Sequence, residues 1–356
     1  MILAVAVVLV VVLAGVVGGG YLYLKSEIAS SVHKVVVPSL LPSSGNAGKS
    51  EASLGSGSPR SFPSYEGEDV LVVGSERLSV ARRMGNALGV VKLPSHSRVA
   101  ILVMVLHYVP GHKGVSVLEI PANLLVTEGG GSSPEPLGVS LAKGPGSLVR
   151  AVENGLGVPL NHYLAVSLPS LISLASHFGG IKMHFPYPMR NPGSGVGDYS
   201  QACVELNDSQ VLSLINLSAP QIEVGDAWSL DPLPAASLIR LQRSVLDAIA
   251  KRVGNGLLSD PFAAMSNLSA LAKAITVDQG FSVTSAVSQA KKLGSSSRAD
   301  SHSIIFPSRS APGAYANLVQ LSDPGKAEET VRLFLQGEPD HASASDHSIV
   351  PQPRAC

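Results

Sequence analysis

Gly144-Pro-Gly-Ser-Leu-Val-Arg-Ala-Val-Glu153, with Leu156-Gly-Val-Pro-Leu-Asn-His-Tyr163 directly after it, sets the class of the fold. Ser147 to Gly155 reads as a helix that stops at glycine, and His162 to Leu168 as a strand. A second helix, Pro169 to Phe178, ends at Gly179-Gly180. Toward the N-terminus, Asp69-Val-Leu-Val-Val-Gly74 reads as a buried strand running into a glycine turn. Val99 to His107 and Val115 to Ile120 flank Pro110-Gly-His-Lys-Gly114, a spacing that predicts adjacent antiparallel strands. Toward the C-terminus, Lys182 to Phe185 reads as a short strand and Leu206 to Ser218 as a helix with Asn207 at its N-cap. Leu233 to Val253 is the longest amphipathic stretch, with Leu238, Leu241, Val245 and Ile249 at helical spacing. Further helices are expected over Pro261 to Ile275, Thr284 to Leu293 and Lys326 to Gln336. Strands are expected at Ile304 to Phe306 and Leu318 to Leu321. The sum is an α/β fold with a mixed central sheet flanked by helices.

This folded part is expected over residues 66–337. Before it, Ile2 to Leu24 carries no charged side chain. At about 1.5 Å per residue that run spans a ~30 Å hydrocarbon core, which predicts a transmembrane anchor over residues 1–25. A cleaved signal peptide is the rival reading; the run is longer than a usual signal core and no basic segment precedes it. Lys25 and Lys34 follow the run, so flanking charge does not orient it. Residues 26–65 comprise a polar stalk from Ser26 to Lys34 and then Pro38 to Ser64, dominated by Ser, Gly and Pro, and read as a flexible linker. Glu338 to Cys356 reads as a frayed, disordered tail.

Lys plus Arg equals Asp plus Glu, at 26 each, which argues against a nucleic-acid binder. Aromatics make up 4% of the chain, so an extended stacking surface is not expected. The two cysteines, Cys203 and Cys356, leave both a disulfide and two free thiols open. There is no G-x-x-x-x-G-K-[ST] loop, H-E-x-x-H pair, G-x-S-x-G elbow or paired C-x-x-C. His107 and His112 read as surface residues of a hairpin. Arginines are the more informative group. Arg240 and Arg243 lie three apart on one helix face; Arg190 follows Pro186-Tyr-Pro-Met189; Arg77, Arg82 and Arg83 follow the first strand, and Arg98 begins the second. Guanidinium forks match phosphate oxygens. Spacing alone leaves two readings: solvated surface groups, or a set converging on a pyrophosphate.

Several segments resemble the LytR–CpsA–Psr family, of the actinobacterial type. They are the opening strand with Gly74-Ser-Glu-Arg77, Leu118-Glu-Ile-Pro121, the Gly144–Glu153 and Leu156–Tyr163 stretches, Gly179-Gly-Ile181, Phe185-Pro-Tyr-Pro-Met-Arg190, Trp228-Ser-Leu-Asp-Pro232 and Ile239-Arg-Leu-Gln-Arg243. Their order and spacing carry the resemblance, over about Glu66 to Gly337. It implies an α/β/α sandwich held outside the cell membrane by a single-pass helix. It also implies binding of a polyprenyl-pyrophosphate-linked glycan and transfer of the glycan phosphate to peptidoglycan. The resemblance assigns pyrophosphate binding to Arg77, Arg98, Arg190, Arg240 and Arg243. It assigns catalysis to Glu76, Arg240 and Arg243, with Mg²⁺ on Glu76 and Asp69 as a second candidate ligand. Metal and arginines together would stabilise charge on a transferring phosphoryl group.

The chain departs from the family pattern at the acids. Glu76 stands where the family has Asp, Ala100 replaces an acid, and Ala122-Asn123 replaces Arg-Asp. Leu137 and Ser140 stand for Asn and Tyr, and Ile215-Asn-Leu-Ser218 lacks the expected arginine. Two functions follow from the resemblance: an active glycopolymer phosphotransferase, or a non-catalytic relative that binds the lipid-linked precursor or assists an active homologue.

Overall fold

The computed structural model describes residues 32–38, 40–41, 66–84, 86, 88, 91–109, 114–127, 133–191, 196–199, 202–217, 221–224, 227–230, 235–259, 272–281, 302–312, 318–338 and 353–356. Val70, Leu71, Val72 and Val73 are all buried, as expected for a strand covered on both faces. They belong to β2 (Glu68–Arg77), in a seven-stranded sheet with β1 (His33–Val35), β3 (Arg98–Tyr108), β4 (Ser116–Ile120), β5 (His162–Ser167), β6 (Ile275–Asp278) and β7 (His302–Ile305). The spatial order is β1-β6-β5-β2-β3-β4-β7. β2, β3 and β4 form an antiparallel meander, whereas β5 joins β2, β1 joins β6 and β7 joins β4 in parallel. The sheet is therefore mixed, as the sequence predicts.

Helices cover both faces. On one lie α1 (Leu78–Arg83), α3 (Leu168–His177), α4 (Asp208–Ile215) and α5 (Ala235–Ser259), packed in a core with Val70, Val72, Val99 and Met104. On the other lie α2 (Pro145–Leu156), a 3₁₀ turn (Leu137–Lys143) and α6 (Pro324–Gln336), around Leu71, Val73, Val103 and Leu118. Helix α2 starts with Pro145 and ends where Gly157 turns left-handed, at φ 75°. Asn207 caps α4 as expected: its Oδ1 accepts the Gln210 N–H at 2.9 Å, and the Gln210 side chain accepts the Asn207 N–H at 3.0 Å.

The 3₁₀ turn approaches the sheet through Gly138, where a Cβ would sit 2.2 Å from the Ala100 carbonyl oxygen. Gly138→Ala must push backbone from backbone and is expected to cost ~2–3 kcal/mol in urea unfolding. Gly146→Ala, whose Cβ meets only Arg150 at 3.5 Å, serves as a control with little loss.

Three expectations are corrected. Ile275–Asp278 is a strand pairing with β5, not the end of a helix. The rest of the helix expected over Pro261 to Ile275 lies largely outside the described residues, as does Thr284 to Leu293. β1 lies inside the segment read as stalk and linker, and Leu41 N–H donates to the Leu160 carbonyl at 2.8 Å. The segment read as a disordered tail ends in a strand, Arg354–Ala355, paired with Ile181–His184. There Cys356 is disulfide-bonded to Cys203 across Cα atoms 6.3 Å apart. The apolar run at residues 2–24 lies outside the described residues, and no described helix is long and apolar enough to cross a membrane.

Candidate functional site

Side chains alternate along a strand, so β2 and β3 split the predicted residues between the faces of the sheet. Glu76 pairs with Val99, and both point to the α4–α5 face. Arg77 pairs with Arg98, and both belong to the opposite face. Arg98 is exposed, and its Nη1 donates to Ser75 Oγ at 3.4 Å. Arg77 and Arg98 therefore do not converge with Glu76, contrary to a single pocket holding all of them.

Glu76 is 2% exposed. Among the described residues its two carboxylate oxygens complete no hydrogen bond. Desolvation raises its pKa to about 8; the nearby Asn216 amide and the Arg83 charge pull it down only in part. Asn216 ends α4, donates to the Leu212 carbonyl at 3.0 Å, and keeps an unpartnered buried Oδ1. At neutral pH Glu76 is thus a neutral acid beside an amide. A divalent cation there would itself draw the carboxyl into its ionised form, and the two unpartnered Glu76 oxygens are the donors it would use. No cluster of three or more His, Cys, Asp or Glu able to hold a metal occurs among the described residues. Asp69 cannot assist, since seven residues of strand separate it from Glu76, about 23 Å. It is fully buried, with Oδ1 3.1 Å from His107 Nδ1. His107 is accordingly an interior residue rather than a surface one.

Across the same face, α5 carries the second polar group. Gln242 Nε2 donates to the Ile215 carbonyl at 2.6 Å, tying α5 to the end of α4 beside Asn216. Arg243 Nη2 lies 2.5 Å from Glu119 Oε1 and donates to Ser303 Oγ at 2.7 Å. Ser303 Oγ in turn donates to Glu119 Oε1 at 2.8 Å. One helical turn on, Asp247 is 1% exposed, and neither of its oxygens has a partner among the described residues. Burial raises its pKa to about 6, with Lys251 and Arg243 lowering it and Glu119 raising it. Arg240 is half-buried one turn before Arg243.

Arg190 sits in a small four-stranded sheet, on the strand Met189–Asn191. Its Nε donates to Gln221 Oε1 at 2.7 Å and its guanidinium lies 4.2 Å from the centre of the Trp228 ring. That stacking fixes the plane of the cation.

Glu119, Asp247, Ser303 and Asn216 were not among the residues expected from the sequence. Asp247 has a signal, four residues from Arg243 on one helix. Glu119 has another, a carboxylate inside the apolar run of β4. Ser303 has none, because only the parallel pairing of β7 with β4 brings it there.

No protein-family model matches the sequence, and no curated protein is similar to it. The fold is similar to that of a LytR-Csp2A-Psr enzyme from Actinomyces oris, at 18% identity and TM-score 0.53, covering 83% of this chain and 96% of that one. It is also similar to protein gbs0355 from Streptococcus agalactiae, at 13% identity and TM-score 0.53, covering 75% and 88% of the two chains. At these identities the likeness is one of fold.

Proposed function

We propose that this chain is a cell-envelope protein of the LytR–CpsA–Psr type, acting on a polyprenyl-pyrophosphate-linked glycopolymer that it transfers to peptidoglycan. The observation that supports this most is the fold, which runs nearly the full length of the Actinomyces oris enzyme. It is joined by an arginine held rigidly on Trp228 and by the α5 arginine pair. In such a transfer an acceptor hydroxyl attacks the glycan-bearing phosphorus. The bond to the polyprenyl phosphate breaks, that phosphate leaves with the electron pair, and the hydroxyl proton passes to water. Arg190 and Arg240 would stabilise the developing charge. The apolar run at Ile2 to Leu24 would hold the domain outside the membrane, within reach of a lipid-borne substrate.

A second reading, binding of the lipid-linked precursor without transfer, is favoured by one observation. Glu76 is a buried acid, and no group of three or more His, Cys, Asp or Glu able to hold a metal occurs among the described residues. Release of polyprenyl phosphate from a polyprenyl-pyrophosphate glycan separates the readings, followed with added Mg²⁺ and with EDTA. Turnover lost in Glu76→Gln supports transfer. Binding weakened ~10-fold or more by Arg190→Ala, with no turnover, supports the second reading. No binding and no effect of Arg190→Ala or Arg240→Ala would reject both.

A further inference from the structure

Arg243 already carries an internal anion. Its Nη2 is paired with Glu119 at 2.5 Å, and Ser303 Oγ, which accepts from the same Nη2, donates to the same carboxylate oxygen. Glu119 is 5% exposed, so this pair is shielded from water on the acid's side while Arg243 stays partly exposed. Arg243 Nε is buried and has no partner among the described residues, so the fork is not saturated. Asp247 adds a second buried carboxylate within range of the same guanidinium, its oxygens unpartnered. Two acids thus lie near one arginine, with Lys251 as the further cation near Asp247, so Glu119 is the carboxylate that directly occupies the Arg243 fork.

We propose that Glu119 is a specificity-determining residue. It occupies the guanidinium that an anionic ligand would use, and so sets how much negative charge the α5 site accepts. The inference rests on the phosphate-binding role proposed above for the α5 arginines. A ligand phosphoryl group must displace Glu119 from Arg243 or bind beside it. Either route penalises each added ligand charge through the two neighbouring carboxylates. The site therefore favours a ligand of low charge, such as a phosphate diester or monoester end, over free pyrophosphate.

Titration calorimetry of the full chain with inorganic phosphate and with pyrophosphate tests this. Glu119→Gln keeps the shape and Ser303's hydrogen bond but removes the charge. It is expected to tighten pyrophosphate about 10-fold and phosphate by less, so the ratio of the two affinities changes. Adding Arg243→Ala should abolish the gain. Ser303→Ala leaves the Glu119 charge in place and should leave the ratio of the two affinities near its starting value, whereas Asp247→Asn, which removes the second carboxylate, should shift it the same way as Glu119→Gln and keeps the test open if that variant folds poorly. Unchanged affinities in Glu119→Gln, with binding still weakened by Arg243→Ala, would overturn the inference and leave the phosphate-binding reading standing. Indifference to Arg190→Ala, Arg240→Ala and Arg243→Ala alike would reject that reading and the inference with it.

Discussion

Glu153→Gln raises the melting temperature at pH 8.5 and leaves it nearly unchanged at pH 4.5. Glu153 sits in α2, 2% exposed, and neither oxygen has a partner in hydrogen-bonding geometry among the described residues. Desolvation raises its pKa from 4.5 to about 8, with the Leu160 amide and Arg150 offsetting only part of that. In the unfolded chain the carboxyl ionises near 4.5. The folded form therefore gives up stability progressively as pH climbs from about 4.5 to about 8, and the loss is complete above that window. A glutamine never ionises and escapes the loss. The gain at pH 8.5 is on the order of a few kcal/mol, or roughly 5–10 °C for a domain of this size. Glu76→Gln follows the same window for the same reason. Asp247→Asn shows a smaller gain, complete above about pH 6. Thermal melts at several pH values check all three, and a gain of equal size at pH 4.5 would contradict the assignment of buried neutral acids.

Reduction of the Cys203–Cys356 bond is expected to have the other large effect. The bridge closes a loop with a sequence separation of 153 residues. It also pins the Arg354–Ala355 strand to the edge of Ile181–His184, where Cys356 N–H donates to the Lys182 carbonyl at 3.0 Å. Chain-entropy arguments give about 3–5 kcal/mol for a loop of this length. Cys203→Ser and the wild type in reductant should unfold at matching, lower urea concentrations. Amide exchange should rise at Lys182 and along Arg354–Ala355. Identical midpoints with and without reductant would show that the strand holds without its covalent tie.

How far the sequence carries can be seen residue by residue. The run Val70–Val73 and the N-cap Asn207 were legible because local pattern and final structure agree. Strand Ile275–Asp278 was not legible, because a four-residue strand paired with β5 owes its existence to tertiary contact rather than to its own periodicity. β1 and the Arg354–Ala355 strand failed for the same reason, each being only two or three residues long. At the site, the resemblance named Arg190, Arg240 and Arg243 but could not see that Glu119 holds Arg243. That contact joins residues 124 apart in sequence through the packing of α5 on β4. The split of Arg77 and Arg98 from Glu76 follows from strand alternation alone, once the register is known.

β1 also changes what the N-terminal segment can do as a leash. His33 to Val35 is fastened to the outer edge of the sheet, and β2 re-enters the same sheet from Glu68. The Ser, Gly and Pro-rich stretch between them has both ends fixed in one body, so its length adds nothing to the reach of the domain. Only the residues from Leu24 to His33 lie between the apolar run and the sheet, at most ~30 Å of chain. Were that run an anchor, the stand-off of the domain would be set by those few residues and not by the longer stretch between β1 and β2.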